Sequence, residues 1–219
     1  VRDPDLVVFD LAGTTVKDGG QVPEAFVAAL AERGVSVTSD QLTRVRGSSK
    51  RQAIADLIPA SAGHAAEVEA AYASFRRHLA RAYRTRLEPV DGAERVFAAL
   101  RNAGVRVALT TGFDRDTTGL LLAALQWDAN VADAIVCGDD VARGRPAPFL
   151  IFHAMEAVGA TSVHRVAVVG DTTLDLNAAH NAGVRWNVGV LSGAHDRSLL
   201  ESAPHTHLIP SVANLLDVL

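Results

Sequence analysis

Five short apolar runs, each closed by a glycine or a polar cluster, limit what this chain can fold into more than any other feature. They cover residues 6–9, 105–112 (VRVALTTG), 133–138 (DAIVCG), 164–171 (HRVAVVGD) and 184–193 (VRWNVGVLSG). The first is too short for a helix and is bracketed by Pro4 and Gly13, so it reads as a buried strand, and the other four follow it. Helical patterns lie between successive runs. VDGAERVFAALRNAG puts Val96, Phe97 and Leu100 on one face and stops at Gly104, where a helix end favours glycine; RPAPFLIFHAMEAVGA and TTLDLNAAHNAG behave alike. Strand and helix in alternation predict an α/β fold built on a doubly wound parallel sheet.

The interval from about residue 17 to about residue 89 is far too long for one crossover helix. Its content is helical: VPEAFVAALAERG, TSDQLTRVRG, KRQAIADLIP, then a long stretch in which Val68, Tyr72, Phe75 and Leu79 recur on one face. The expected architecture is therefore an α/β core of residues 1–17 and 89–219 with a small helical cap, residues 18–88, inserted after the first strand. At 219 residues, 48% hydrophobic and 21% charged, the chain can bury a core of that size. A net charge of −4 without a polybasic run argues against nucleic acid or an acidic membrane surface as a partner. The lone Cys137 fits a reducing, cytoplasmic setting, and no apolar stretch approaches a membrane span. Self-association as a homodimer stays open.

In an open α/β sheet the ligand crevice lies beyond the carboxyl ends of the strands. The ends here carry Asp10, then Thr111, then Arg145 in the loop after Cys137, then Asp171 and Asp175. Each alone is also explained as a helix cap or a turn. Together they supply what phosphoryl-type chemistry needs: a carboxylate to attack, further carboxylates for a divalent metal, and a hydroxyl and a cation to hold oxygens. The histidines are weaker candidates. His205 and His207 alternate like a half-exposed strand, His64 and His78 read as solvated, and His153 and His180 fall within core helices. Trp127 and Trp186 read as packing residues.

The segments FDLAGTT, TTG, GRPAP and GDTTLDLNAAHNAG together resemble the four motifs of the haloacid dehalogenase superfamily, and the placement of the cap resembles its helical-cap branch. The resemblance spans nearly the whole chain. It implies an aspartyl nucleophile at Asp10, a group-binding Thr111, Arg145 where the family usually has Lys, and Mg2+ held by Asp10, the backbone carbonyl of Ala12 and Asp171. Asp175 would be a further ligand or orient one.

Ala12 stands where related phosphatases carry an acid that protonates the leaving oxygen, and a methyl group cannot do so. The segments DLAGTT, TTG followed by an aromatic, and GRPAP resemble the phosphonatase branch, whose members cleave a carbon–phosphorus bond after a cap lysine forms an imine with an aldehyde substrate. In RVRGSSKRQAI, Lys50 falls three residues after Gly47, as the imine-forming lysine does in that branch, and the chain contains only two lysines. Arg46 and Arg51 are cationic neighbours that would lower its pKa. Arg46, Gly47 and Gly112 are the implied substrate-binding residues. Four positions depart from the branch: Arg46 replaces Met, Ala53 His, Gly20 Cys and Phe113 Tyr. The readings are thus a Mg2+-dependent phosphonatase-like hydrolase acting on a small phosphonate, a phosphatase of the same fold, or a degenerate phosphate-binding protein. Dehalogenation fits less well, because Asp171 and Asp175 look built for a metal that it does not require.

Overall fold

The computed structural model describes residues 4–85, 87–127 and 130–219. Its centre is a six-stranded parallel sheet in the order β3-β2-β1-β4-β5-β6. The strands are β1 (Leu6–Asp10), β2 (Arg106–Thr110), β3 (Ala134–Val136), β4 (Val166–Gly170), β5 (Trp186–Val190) and β6 (His207–Ile209). All five expected runs form strands, and the four longer runs each extend beyond the strand they contain. β6 grows from the alternating segment around His207 and closes one edge.

β1 is central because it is apolar on both faces. Val7 and Phe9 join the core on one side of the sheet, and Leu6 and Val8 join the core on the other. Side chains alternate along a strand, so a continuous apolar run is what a doubly covered sheet demands. One layer contains α7 (Phe149–Val158) and α8 (Thr173–Ala182), with Leu150, Met155 and Ala178 facing the sheet. The other includes α5 (Ala93–Asn102), whose Phe97 ring meets Phe9 edge-on at 5.0 Å and Trp127 at 5.4 Å. Trp127 packs as expected, with its indole N–H donating to Glu94 at 2.7 Å.

The helical insertion follows β1 and comprises α1 (Gln21–Ala31), α2 (Ser39–Val45), α3 (Lys50–Leu57) and α4 (His64–Tyr83). Val68, Tyr72, Phe75 and Leu79 of α4 are all buried, and Phe75 packs on Phe26 of α1 with ring centroids 4.5 Å apart. α2 begins with a reciprocal cap: Thr38 accepts from the Gln41 N–H and Gln41 accepts from the Thr38 N–H. It ends at Val45, after which Arg46 is extended and Gly47 takes φ 86°, a left-handed conformation that favours glycine. Helix α6 (Arg115–Leu125) connects β2 to β3 and is capped by Asp114, whose carboxylate accepts from the Thr117 N–H at 2.7 Å. A short helix, α9 (Arg197–Glu201), precedes β6. Among the described residues, no helix is long and apolar enough to cross a membrane.

The Phe9–Phe97–Trp127 contact gives a stability prediction. Phe97→Ala removes a ring that is 2% exposed and leaves a cavity beneath β1. It should cost about 3–5 kcal/mol in chemical denaturation at an unchanged m-value. A loss below about 1 kcal/mol would show that this cluster does not anchor the sheet.

Candidate active site

The sheet turns through its switch point at β1, and the carboxyl ends of β1, β2 and β4 open into one cavity. Asp10 ends β1 opposite Thr110 of β2, and Asp171 directly follows β4. Thr111 and Gly112 leave the regular ladder just past β2, which turns them toward the cavity. Arg145 reaches in from the loop before α7. Asp10, Ala12, Arg46, Gly47, Lys50, Thr111, Gly112, Arg145 and Asp171 all line this space, so core and insertion supply one site. Asp175 stands behind the lining, in the first turn of α8.

Arg145 is the hub of the core side. Its guanidinium donates to Asp10 Oδ1 at 2.7 Å and to Thr110 Oγ1 at 2.8 Å, and its Nε pairs with Asp175 Oδ1 at 2.8 Å. All three charged groups are buried. A lysine could not span three acceptors with a planar fork. Asp175 is also held by Thr172, whose hydroxyl donates to Oδ2 at 2.5 Å, so its carboxylate is turned to Arg145 and Thr172. Thr111 is fixed by the Phe113 N–H, which donates to its Oγ1 at 3.1 Å.

Asp171 is fully buried and held from two sides. Thr14 donates to Oδ1 at 3.1 Å, and the Ala194 N–H donates to Oδ2 at 2.7 Å. Glycine is required around it: a Cβ on Gly13, which has φ 99°, would sit 2.1 Å from Asp171 Oδ2, and one on Gly193 would sit 2.2 Å from the same atom. Burial, then the charges of Asp10 and Asp175, push the Asp171 carboxyl up to about 8. Burial likewise pushes Asp10 up to about 6, against the opposing pull of Arg145.

Two buried carboxyls raised by burial, with neighbouring carboxylates adding to it, are a donor set short of a cation. Among the described residues no three His, Cys, Asp or Glu side chains converge as a ready cluster. The all-oxygen set of Asp10, Asp171 and the Ala12 carbonyl nonetheless suits Mg2+, which takes one or two carboxylates and fills its remaining positions with water and substrate oxygens.

The insertion approaches the core along a seam of glycines. A Cβ on Gly112 would lie 2.4 Å from the Ser48 carbonyl oxygen, and one on Gly47 would lie 2.4 Å from Thr172 Oγ1. The Lys50 N–H donates to the Gly112 carbonyl at 3.2 Å, so α3 starts against the end of β2. The Lys50 ammonium is buried 5.0 Å from the centre of the Phe113 ring and donates to the Ser48 carbonyl at 3.3 Å. Burial pushes the Lys50 amine below its ordinary value and Arg145 adds to that, while Asp10 opposes it. The first turn of a helix also disfavours a cation. Arg46 pairs with Asp18 at 3.3 Å across the same cavity.

The sequence reading did not single out Thr14, Asp18, Thr110, Thr172 or His195. Thr14, Thr110 and Thr172 lie in or beside the quoted motifs, so adjacency could have flagged them. Asp18 and His195 carry no local signal, because only the tertiary contact shows their role.

A family model for haloacid dehalogenase-like hydrolases matches residues 4–183. The chain belongs to that family. It is a hydrolase of this fold, and curated relatives carry a narrower description. A phosphonoacetaldehyde hydrolase of Bacillus cereus strain AH187 is 30% identical over 215 residues, covering 92% of this chain and 81% of the relative. Among solved structures, a hydrolase from Pseudomonas syringae superposes with a TM-score of 0.87 at 25% identity, covering 98% of this chain and 97% of that one. A phosphonoacetaldehyde hydrolase-like protein from Oleispira antarctica superposes with a TM-score of 0.88 at 23% identity, covering 99% and 91%. At that identity the second likeness speaks for the fold.

The raised carboxyls give a pH prediction. Asp10 near 6 and Asp171 near 8 hold protons that a bound cation must displace. Apparent Mg2+ affinity should therefore rise as pH increases from 6 to 8, with proton release seen by calorimetry in buffers of different ionisation enthalpy. An affinity independent of pH would mean that both groups are already ionised.

Proposed function

We propose that the protein is a Mg2+-dependent, phosphonatase-like hydrolase that cleaves the carbon–phosphorus bond of phosphonoacetaldehyde or a related small phosphonate. Asp10 serves as nucleophile and Lys50 as the imine-forming amine. Residues 18–88 act as a cap that closes over the substrate. The observation that carries this reading is the buried amine of Lys50 in the same cavity as Asp10, with Ala12 where a proton-donating acid would stand.

Each group has a task that its surroundings favour. Lys50, with its amine pKa held down, condenses with the aldehyde and releases water. The resulting cationic imine accepts the electron pair of the carbon–phosphorus bond as Asp10 Oδ attaches to phosphorus. The carbon fragment leaves as an enamine, so no acid at position 12 is needed. Protonation and hydrolysis of the enamine free Lys50 and acetaldehyde; water then hydrolyses the aspartyl-phosphate, releasing phosphate and restoring Asp10. Arg145 keeps Asp10 oriented, and with Thr111 it lies where phosphonate oxygens would be held. Bound Mg2+ would offset the repulsion between the phosphonate and the carboxylates. Asp171 and the Ala12 carbonyl would hold it beside Asp10, with Asp175 orienting Arg145.

Borohydride trapping tests this directly. After incubation with phosphonoacetaldehyde and reduction, peptide mapping should place the added mass on Lys50, and Lys50→Arg should lower phosphate release by at least about 1,000-fold. Efficient hydrolysis of alkyl phosphates with no adduct on Lys50 would instead mark an ordinary phosphatase that uses Lys50 and Arg46 as binding cations.

A further inference from the structure

We propose that His195, in the loop after β5, is a positioning residue that sets where the insertion delivers Lys50. Its ring spans the seam. Nδ1 accepts from the Thr173 N–H at 3.1 Å, at the start of α8, and Nε2–H donates to the Thr43 carbonyl at 3.3 Å, in the last turn of α2. One acceptor and one donor nitrogen define the neutral Nε2–H tautomer. The imidazole is buried, the residue being 4% exposed, with both nitrogens engaged.

The Thr43 contact matters because Lys50 lies only seven residues further along the chain. Between them the backbone passes through extended Arg46 and left-handed Gly47. The segment is held at its other end by the Lys50 N–H bond to the Gly112 carbonyl. His195 and Gly112 thus grip the two ends of residues 43–50. Losing one grip leaves the loop hinged on the other, and the amine moves relative to Asp10. The backbone of His195 is itself tied to the core. Its N–H donates to the Asp171 carbonyl at 3.2 Å, beside the Ala194 N–H that holds the Asp171 carboxylate. Those two bonds are made by main chain, so replacing the ring leaves them in place. A buried histidine that merely filled space would affect folding and every step alike; one that positions Lys50 affects the imine step selectively.

This inference rests on Lys50 being the imine-forming amine, and the experiment separates the two claims. Native protein, His195→Ala and His195→Gln are compared in three measurements: turnover and borohydride-trapped Lys50 adduct with phosphonoacetaldehyde, affinity for beryllofluoride with Mg2+ as a reporter of Asp10, and the unfolding midpoint. His195→Ala should lose about 100-fold in kcat and in adduct formation, as a displacement of about 1 Å can cause. Its beryllofluoride affinity should stay within about threefold, well under the tenfold that corresponds to about 1.4 kcal/mol. Gln can both accept and donate, so His195→Gln should recover part of the loss and keeps the test open if the alanine variant does not fold. A parallel fall in turnover and beryllofluoride affinity, or unchanged adduct formation in His195→Ala, would overturn the assignment. No adduct in the native protein would remove the imine reading, and this inference with it.

Discussion

Everything at this site depends on the buried guanidinium of Arg145. It fastens the end of β1 through Asp10, the end of β2 through Thr110 and the first turn of α8 through Asp175. Desolvating three charges is costly, and their mutual attraction offsets that only when geometry is good and the remaining polar atoms are bonded. Here Thr172 takes up the second Asp175 oxygen, and Arg145 has three close acceptors. Removing Arg145 would strand the two carboxylates as uncompensated buried charges, at a cost of about 3–5 kcal/mol. Because Arg145 and Thr172 already use Asp175, and Arg46 pairs with Asp18, the carboxylates that the core leaves facing the cavity are Asp10 and Asp171.

That arrangement leaves the core half incomplete. It has an oriented carboxylate and a cation-demanding pair, but Ala12 contributes no proton donor. In the proposed mechanism the insertion supplies the missing partner across the glycine seam. Gly47 and Gly112 let the two halves approach at distances that a Cβ would block, which brings Lys50 into a buried position against Phe113. Burial that would be a liability for a structural lysine favours the free amine of a reactive one. A second contact docks the insertion on another flank. Asp114, already the cap of α6, accepts from the Tyr72 hydroxyl and pairs with Arg76 of α4 at 3.4 Å. The same residue thus ends the segment that carries Thr111 and receives the longest helix of the insertion.

Much of this was legible in the chain because it rests on local pattern. Short apolar runs with glycine punctuation marked the strands, and the α4 stripe of Val68, Tyr72, Phe75 and Leu79 marked a buried helix face. The strand-end residues stood out because a parallel sheet gathers its carboxyl ends. What escaped was set by tertiary contact. The alternation around His205 and His207 pointed to a strand, but its place at the sheet edge beside β5 is set by pairing. Asp175 read in sequence as a further metal ligand or a residue that orients one, and only the fold shows its carboxylate turned to Arg145 and Thr172. His195 sits in a polar loop with no motif, and its two ring contacts join residues 152 and 22 positions away.

The central physical claim is that the fold lowers the pKa of one lysine beside a carboxylate nucleophile. The chain has only two lysines, and the second, Lys17, is a partner of Glu88 and Asp91 at the surface, whose bonds raise its pKa. An NMR pH titration of protein labelled at the lysine side chains would therefore show two signals, assigned by the loss of one in Lys50→Arg. The account predicts that the Lys50 signal deprotonates below the ordinary lysine value and Lys17 above it. A Lys50 signal that titrates with Lys17, or later, would contradict it.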